Sequence, residues 1–388
     1  MLLYLNLIIY RYLCTMAGVY VHIPFCKQAC TYCDFHFSTS FSTYRDEMID
    51  AIIKEFEQRK DYLEGDLVET IYFGGGTPSL LTGKEVALIL NTIHKNVNSN
   101  NDAEITLEAN PDDITLEKLI EWKSAGVNRL SIGIQSFEDV DLKWMNRAHT
   151  AAESLKSVAM AVTNGFLVTI DLIYGLPNVS NEQWLQNLKT ATELKPHHIS
   201  AYCLTVEENT VLDSWTKSGK IQRVESDQQS EQFDLLVEFL EREGYDQYEI
   251  SNFAKEGNYA QHNSNYWLGK RYLGIGPSAH SFNGASRAWN ISNNQRYMRA
   301  INKGELYSET EELTPKDRFN ELLMTGLRTK WGVNLEELSR IAHVEKDFYN
   351  YIEKGIKNNE ITQVRNQIVL TKKGRLIADK IASDLFLT

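Results

Sequence analysis

The chain has 388 residues, 43% hydrophobic and 24% charged, and a formal net charge of −12 at pH 7. That length calls for two or three domains of ordinary globular composition. The acidic excess argues against a nucleic-acid binder, which needs a basic face for phosphates, and from residue 19 onward no run reaches the ~18 apolar residues of a membrane span.

The opening MLLYLNLIIYRYLCT is apolar but lacks the cationic start and small-residue cleavage site of a signal peptide. Met16 begins MAGVYVHIPFC, a natural first strand. Residues 1–18 are therefore read as an extension ahead of the fold, artefactual or disordered, with Met16 as the true start.

Residues 19–225 alternate β-branched runs with helical periodicity. Strands are expected at 19–23, 70–73, 105–109, 129–135, 167–173 and 199–204, with helices at 44–59, 84–94, 116–124, 151–163 and 182–194 between them. Six strand–helix units with right-handed crossovers make a parallel sheet. Six falls short of a closed eightfold barrel, so the fold class is α/β, an open (β/α)6 partial TIM-like barrel.

Parity within the strands says more than their number. Glu104, Thr106 and Glu108 alternate with Ile105, Leu107 and Ala109; Ser131, Gly133 and Gln135 with Leu130, Ile132 and Ile134; Thr169 and Asp171 with Val168, Ile170 and Leu172. Side chains in a strand point to opposite faces in turn, so each strand has one apolar and one polar face. Parallel sheets packed on both faces read as continuous apolar runs; here one face is expected to line a wet, ligand-holding cavity.

Residues 226–305 begin with an amphipathic helix at 227–243, followed by an aromatic and glycine-rich stretch of loops and short strands. Residues 306–388 hold three or four helices, then a hairpin at 361–371 with Arg365, Asn366 and Gln367 near its turn. Helices plus a terminal hairpin suggest a winged-helix-like α+β domain, structural or partner-facing in so acidic a chain.

The five cysteines are Cys14, Cys26, Cys30, Cys33 and Cys203. An odd number, three of them within eight residues, is not a disulfide framework and fits a reducing, cytoplasmic setting. Cys203, in an apolar strand, reads as a buried thiol. Cys26, Cys30 and Cys33 follow the first strand, and three thiolates on a short loop suit three irons of a [4Fe–4S] cubane, leaving the fourth iron for an exogenous ligand. The competing reading is zinc, which usually takes four protein ligands in paired motifs; His22 or His36 could complete such a set. Gly74-Gly75-Gly76-Thr77-Pro78 after the second strand allows close backbone approach to a ligand, or is simply a tight turn. It lacks the Gly-Lys-Ser/Thr ending of a phosphate loop. Glu108, Gln135 and Asp171 stand near the carboxyl ends of their strands, where β/α folds place ligand sites.

Cys-x3-Cys-x2-Cys, Gly-Gly-Gly-Thr-Pro and these rim polars together resemble the radical S-adenosylmethionine superfamily. Tyr20-Val-His-Ile-Pro-Phe-Cys26 resembles, more narrowly, its group of oxygen-independent coproporphyrinogen III oxidases and HemW-type heme chaperones. The resemblance implies that the cluster's open iron is chelated by the amino and carboxylate groups of S-adenosylmethionine, whose sulfonium an electron can cleave to a 5′-deoxyadenosyl radical. It assigns S-adenosylmethionine contacts to Tyr20, Gly75, Gly76, Thr77, Glu108, Gln135, Arg147 and Asp171. The oxidases carry a further cysteine two residues beyond the third; here that position is Phe35, as in the chaperone branch. His262-Asn-Ser-Asn-Tyr266-Trp267 resembles the branch's His-Asn-x-x-Tyr motif, which implies heme contacts at His262, Asn263 and Tyr266; read from the residues alone, the same motif is a loop histidine held by Asn and Tyr hydrogen bonds. Heme, the cluster and S-adenosylmethionine are the expected cofactors. The expected partners are a heme-accepting protein and an electron donor, with no nucleic acid and a membrane surface met only through the acceptor. The alternative function is radical decarboxylation of coproporphyrinogen III.

Overall fold

The structure is a computed structural model and describes residues 16–222, 225–255 and 257–387. Six strand–helix units build its first half. They are β1 (Met16–Ile23) with α1 (Arg45–Arg59), β2 (Leu67–Gly75) with α2 (Gly83–Asn96), and β3 (Ser99–Ala109) with α3 (Leu116–Ala125). Then follow β4 (Arg129–Gln135) with α4 (Asp139–Trp144) and α5 (Ala151–Thr163), β5 (Leu167–Tyr174) with α6 (Asn181–Glu193), and β6 (His198–Cys203) with α7 (Val211–Lys217) and α8 (Ser226–Arg242). β1 to β6 are consecutive, parallel neighbours. The first strand includes Met16, Ala17 and Gly18, so the expected boundary at residue 18 moves back; the remainder of that extension, residues 1–15, lies outside the described residues.

Local chemistry sets where several helices begin. Thr82 with Glu85, Thr150 with Glu153 and Ser180 with Gln183 form reciprocal capping boxes that satisfy backbone donors at the starts of α2, α5 and α6. Strand parity holds as expected. Ile105, Leu107, Leu130, Ile132, Ile134, Val168, Ile170 and Leu172 are buried in one apolar core beneath the helices. The alternate residues face the barrel interior.

The sheet is wider than six strands. β7 (Tyr245–Gln247) and β8 (Asn252–Lys255) extend it beyond β6, β8 running antiparallel. The short helix α9 (Gln261–Trp267) then leads to β9 (Arg271–Ile275), which joins the other edge parallel to β1. β10 (His280–Phe282), β11 (Ser286–Asn290), α10 (Asn294–Lys303) and β12 (Ser308–Glu312) complete that side. The strand order is β12-β11-β10-β9-β1-β2-β3-β4-β5-β6-β8-β7. The glycine-rich stretch expected as loops and short strands therefore belongs to the main sheet.

The remaining residues form α11 (Pro315–Gly326), β13 (Val333–Asn334), α12 (Leu335–Ile341), α13 (Lys346–Lys357), β14 (Ile361–Val364), β15 (Gln367–Leu370), α14 (Lys372–Arg375) and α15 (Ala378–Asp384). Three strands ordered β13-β15-β14 and the surrounding helices enclose a separate core around Phe319, Leu323, Leu338, Ile352 and Ile368. The hairpin turns at Arg365 and Asn366, while Gln367 already pairs with Val364. Ile250 and Lys330 donate backbone hydrogen bonds to Arg328 and Tyr248, tying this unit to the sheet. Among the described residues no helix is long and apolar enough to cross a membrane.

Candidate functional site

At the carboxyl ends of β1–β6 lies a cavity of about 450 Å³. Its wall gathers Cys26, Cys30 and Cys33 with Gly75, Gly76, Thr77, Glu108, Gln135, Arg147 and Asp171. The loop that carries the thiols is braced through its backbone. Thr31 N–H donates to Met145 O (3.1 Å), and Thr31 O accepts from Leu212 N–H (2.9 Å). Asn146 donates to Ala29 O and Gln28 donates to Asn146 O, both at 2.7 Å. Cys26 N–H donates to Ser38 O (3.1 Å), and Lys27 bridges Asp112 and Asp113.

Donors also point at the sulfurs. Thr77 Oγ1 lies 3.3 Å from Cys26 Sγ, and an Arg147 guanidinium nitrogen lies 3.4 Å from Cys30 Sγ. Arg147 is further held by Asn110 Oδ1 (2.7 Å) and Gly133 O (2.9 Å), yet its Nε is buried with no hydrogen-bond partner. An orphaned buried donor of this kind fits an acidic ligand group. Burial raises the Cys26 thiol to about 11 and the Cys33 thiol to about 12. Among the described residues no three Cys, His, Asp or Glu side chains converge as a single-ion site requires. Three thiols along one wall instead suit a cluster, where each sulfur bonds its own iron.

Two carboxyl groups face the cavity from neighbouring parts of the sheet. Tyr72 O–H donates to Glu108 at 2.7 Å, and Ser131 donates to Asp171 at 3.2 Å. Burial pushes Glu108 up to about 8 against the opposing Tyr72 hydrogen bond. Burial likewise lifts Asp171 to about 6, opposed by Ser200 and Ser131. Both groups would ionise more readily beside a cation. Gly75 adopts φ +106°, open to glycine at little cost, and its neighbour Gly76 donates its N–H to Ile23 O at 2.9 Å. The register slips between Gly133 and Gln135, and this bulge turns Gln135 (φ +65°) towards the cavity.

Not every expected residue reaches the cavity. The Tyr20 hydroxyl lies one layer below and donates to His22 Nδ1 (3.2 Å), because His22 Nε2 donates to His36 O (2.9 Å). His262 is 2% exposed, on a helix inside the barrel. Its Nδ1 is 2.8 Å from Thr70 Oγ1, its Nε2 is 2.9 Å from the Tyr266 hydroxyl, and burial lowers its pKa to about 3. Both ring nitrogens of His262 are thus engaged by hydroxyl partners beneath the cavity. Of that motif, only Asn263 lines the cavity. Cys203 also departs from expectation. It is partly exposed and lines the wall with Tyr202, Leu204 and Glu207. Tyr72 and Asn110 were not foreseen, whereas Ser131 lines the cavity as its strand parity implied; the alternation of Thr70 and Tyr72 with Ile71 and Phe73 in β2 carried the missing signal for Tyr72.

A parallel β/α barrel with three cysteines on the loop after its first strand defines a class, and the model of the radical SAM superfamily matches residues 20–191. Over 378 residues the chain is 33% identical to heme chaperone HemW of Bacillus subtilis (strain 168), covering 94% of this chain and 98% of that protein. It is 31% identical over 374 residues to heme chaperone HemW of Escherichia coli (strain K12), covering 95% and 98%. The chain belongs to the HemW family of that superfamily. Coproporphyrinogen III oxidase (HemN) of Escherichia coli has a similar fold, with a TM-score of 0.83 at 24% identity over 96% of this chain and 90% of that one.

Proposed function

We propose that the chain is a heme chaperone, which binds heme and passes it to an acceptor protein while holding a [4Fe–4S] cluster and S-adenosylmethionine in the cavity. The observation that carries this is near-full-length identity of about a third to HemW heme chaperones. Cys26, Cys30 and Cys33 would hold the cluster. Thr77 and Arg147 would steady two of its sulfurs, as outer donors do for thiolate-held metals. Arg147 Nε is left to pair with the methionyl carboxylate, and Glu108 and Asp171 with the cationic and hydroxyl parts of the ligand. Gly75, Gly76 and Gln135 shape the wall around it. When bound, the cluster and sulfonium supply one-electron chemistry.

The test is anaerobic reconstitution of the full chain followed by heme titration, then transfer to apo-hemoproteins. Stoichiometric, transferable heme supports the chaperone. Efficient conversion of coproporphyrinogen III to protoporphyrinogen IX without heme binding would overturn it in favour of the decarboxylase.

A further inference from the structure

Beneath the cavity floor lies a layer of aromatic rings. His262 and Tyr72 stack with centroids 5.0 Å apart and planes inclined by 23°. Tyr20 stacks on Tyr72 at 6.1 Å and lies 6.5 Å from His262. Tyr266 meets the His262 ring edge-on at 5.0 Å. The layer is anchored at both ends. At one end Glu104 accepts the backbone N–H groups of Gln261 (3.1 Å) and His262 (2.9 Å), and is itself paired with Arg129. At the other end, Tyr72 crosses into the cavity and gives its hydroxyl to Glu108. The sheet makes room for this packing at Gly18. A Cβ there would stand 2.8 Å from Thr70 Oγ1 and 3.1 Å from His262 Cε1, tighter than ordinary contacts.

We propose that His262 is a positioning residue for the S-adenosylmethionine pocket and not a heme ligand: pinned by Thr70 and Tyr266, its ring is the platform that aims Tyr72 at Glu108. This rests on the pocket assignment above and adds a role for the motif that the heme assignment does not contain. Either tautomer of the neutral ring satisfies both hydroxyl partners, since each hydroxyl can donate or accept. An iron atom approaching either nitrogen would have to displace one of those partners and leave it buried without a hydrogen bond. Heme is therefore held elsewhere, and the motif acts on the ligand above it through Tyr72.

The experiment measures S-adenosylmethionine affinity and heme affinity separately, on the anaerobically reconstituted full chain, with cluster absorbance as the loading control. Tyr72→Phe removes only the hydroxyl on Glu108, and His262→Phe keeps a ring but loses both pins. Each is expected to weaken S-adenosylmethionine binding about tenfold, the scale of one hydrogen bond to a charged group. Because His262 acts through Tyr72, the double variant should be no more than about twofold weaker than Tyr72→Phe alone. Heme affinity should stay within about twofold of wild type. Additive losses, or lost heme affinity with unchanged S-adenosylmethionine affinity in His262→Phe, would overturn the proposal. If His262→Phe does not fold, Tyr266→Phe removes one pin by a single oxygen and enters the same cycle with the same expectations. A wild-type chain that binds no S-adenosylmethionine overturns the pocket assignment and this inference together. A chain that binds S-adenosylmethionine but no heme overturns the chaperone and leaves the cycle decisive.

Discussion

Arg129→Met probes the buried ion pair under the aromatic layer. Arg129 Nε and Glu104 Oε2 are 2.9 Å apart, with side chains only 2% and 3% exposed. The guanidinium also donates to Thr169 Oγ1 (3.1 Å), Asn258 O (3.1 Å) and Tyr259 O (3.2 Å), so one side chain secures the segment entering α9. Methionine fills similar space but leaves a carboxylate and two backbone carbonyls buried without it. Removing one partner of such a pair costs about 3–5 kcal/mol. Glu104 keeps its two amide donors, so the lower end, about 3 kcal/mol, is expected. Equilibrium urea unfolding gives the number from the shift in midpoint at constant slope. Glu104→Gln with Arg129→Met removes the stranded charge while keeping an acceptor for the Gln261 and His262 amides, and should recover part of the loss. A single-variant loss below about 1 kcal/mol, or a double variant no better than the single, would refute the account of a charge stranded in low dielectric.

Serine in place of Cys26, Cys30 or Cys33 should each abolish iron–sulfur absorbance after anaerobic reconstitution, whereas Cys203→Ser should retain it; iron and sulfide analysis checks both. Glu108 is a carboxyl group whose native pKa, about 8, lies above its ordinary value. Its protonated form is favoured by folding, so its contribution is complete at acid pH and is lost as pH rises towards 8. The cofactor-free chain should therefore lose stability on that climb, at up to about 1.4 kcal/mol per pH unit, and Glu108→Gln should flatten the slope seen in denaturant titrations. Gly75→Ala places a Cβ 2.6 Å from the His22 ring on a backbone at φ +106°. It should cost at least ~2 kcal/mol in thermal or urea unfolding and weaken S-adenosylmethionine binding.

The cavity-facing wall was readable because strand geometry has a strict period of two. Glu108, Ser131, Gly133 and Asp171 share a face by counting alone, and the cysteine spacing announced its own loop. Arg147 carried no such pattern. It follows β4 across a helix, and its role comes from long-range partners, Cys30 and Asn110, that local sequence does not encode. The outer strands were hidden for a related reason. β9, β10 and β11 are three to five residues long, and the edges they pair with are set by the whole sheet. In the His262 motif the residue types were legible but not the direction they face. Only the fold puts Thr70 against one nitrogen and Tyr266 against the other. Cys203 illustrates the opposite error. An apolar strand suggested interior packing, but its last residue emerges at the rim, where the wall opens.

The cysteine loop takes its shape from Met145, Asn146, Leu212 and Ser38, all of them protein groups. Its backbone course is thus a property of the polypeptide itself, in contrast to small domains that fold around their metal. Removal of iron and sulfide is therefore expected to leave the barrel's secondary structure in place, which circular dichroism of the stripped and reconstituted chain would check.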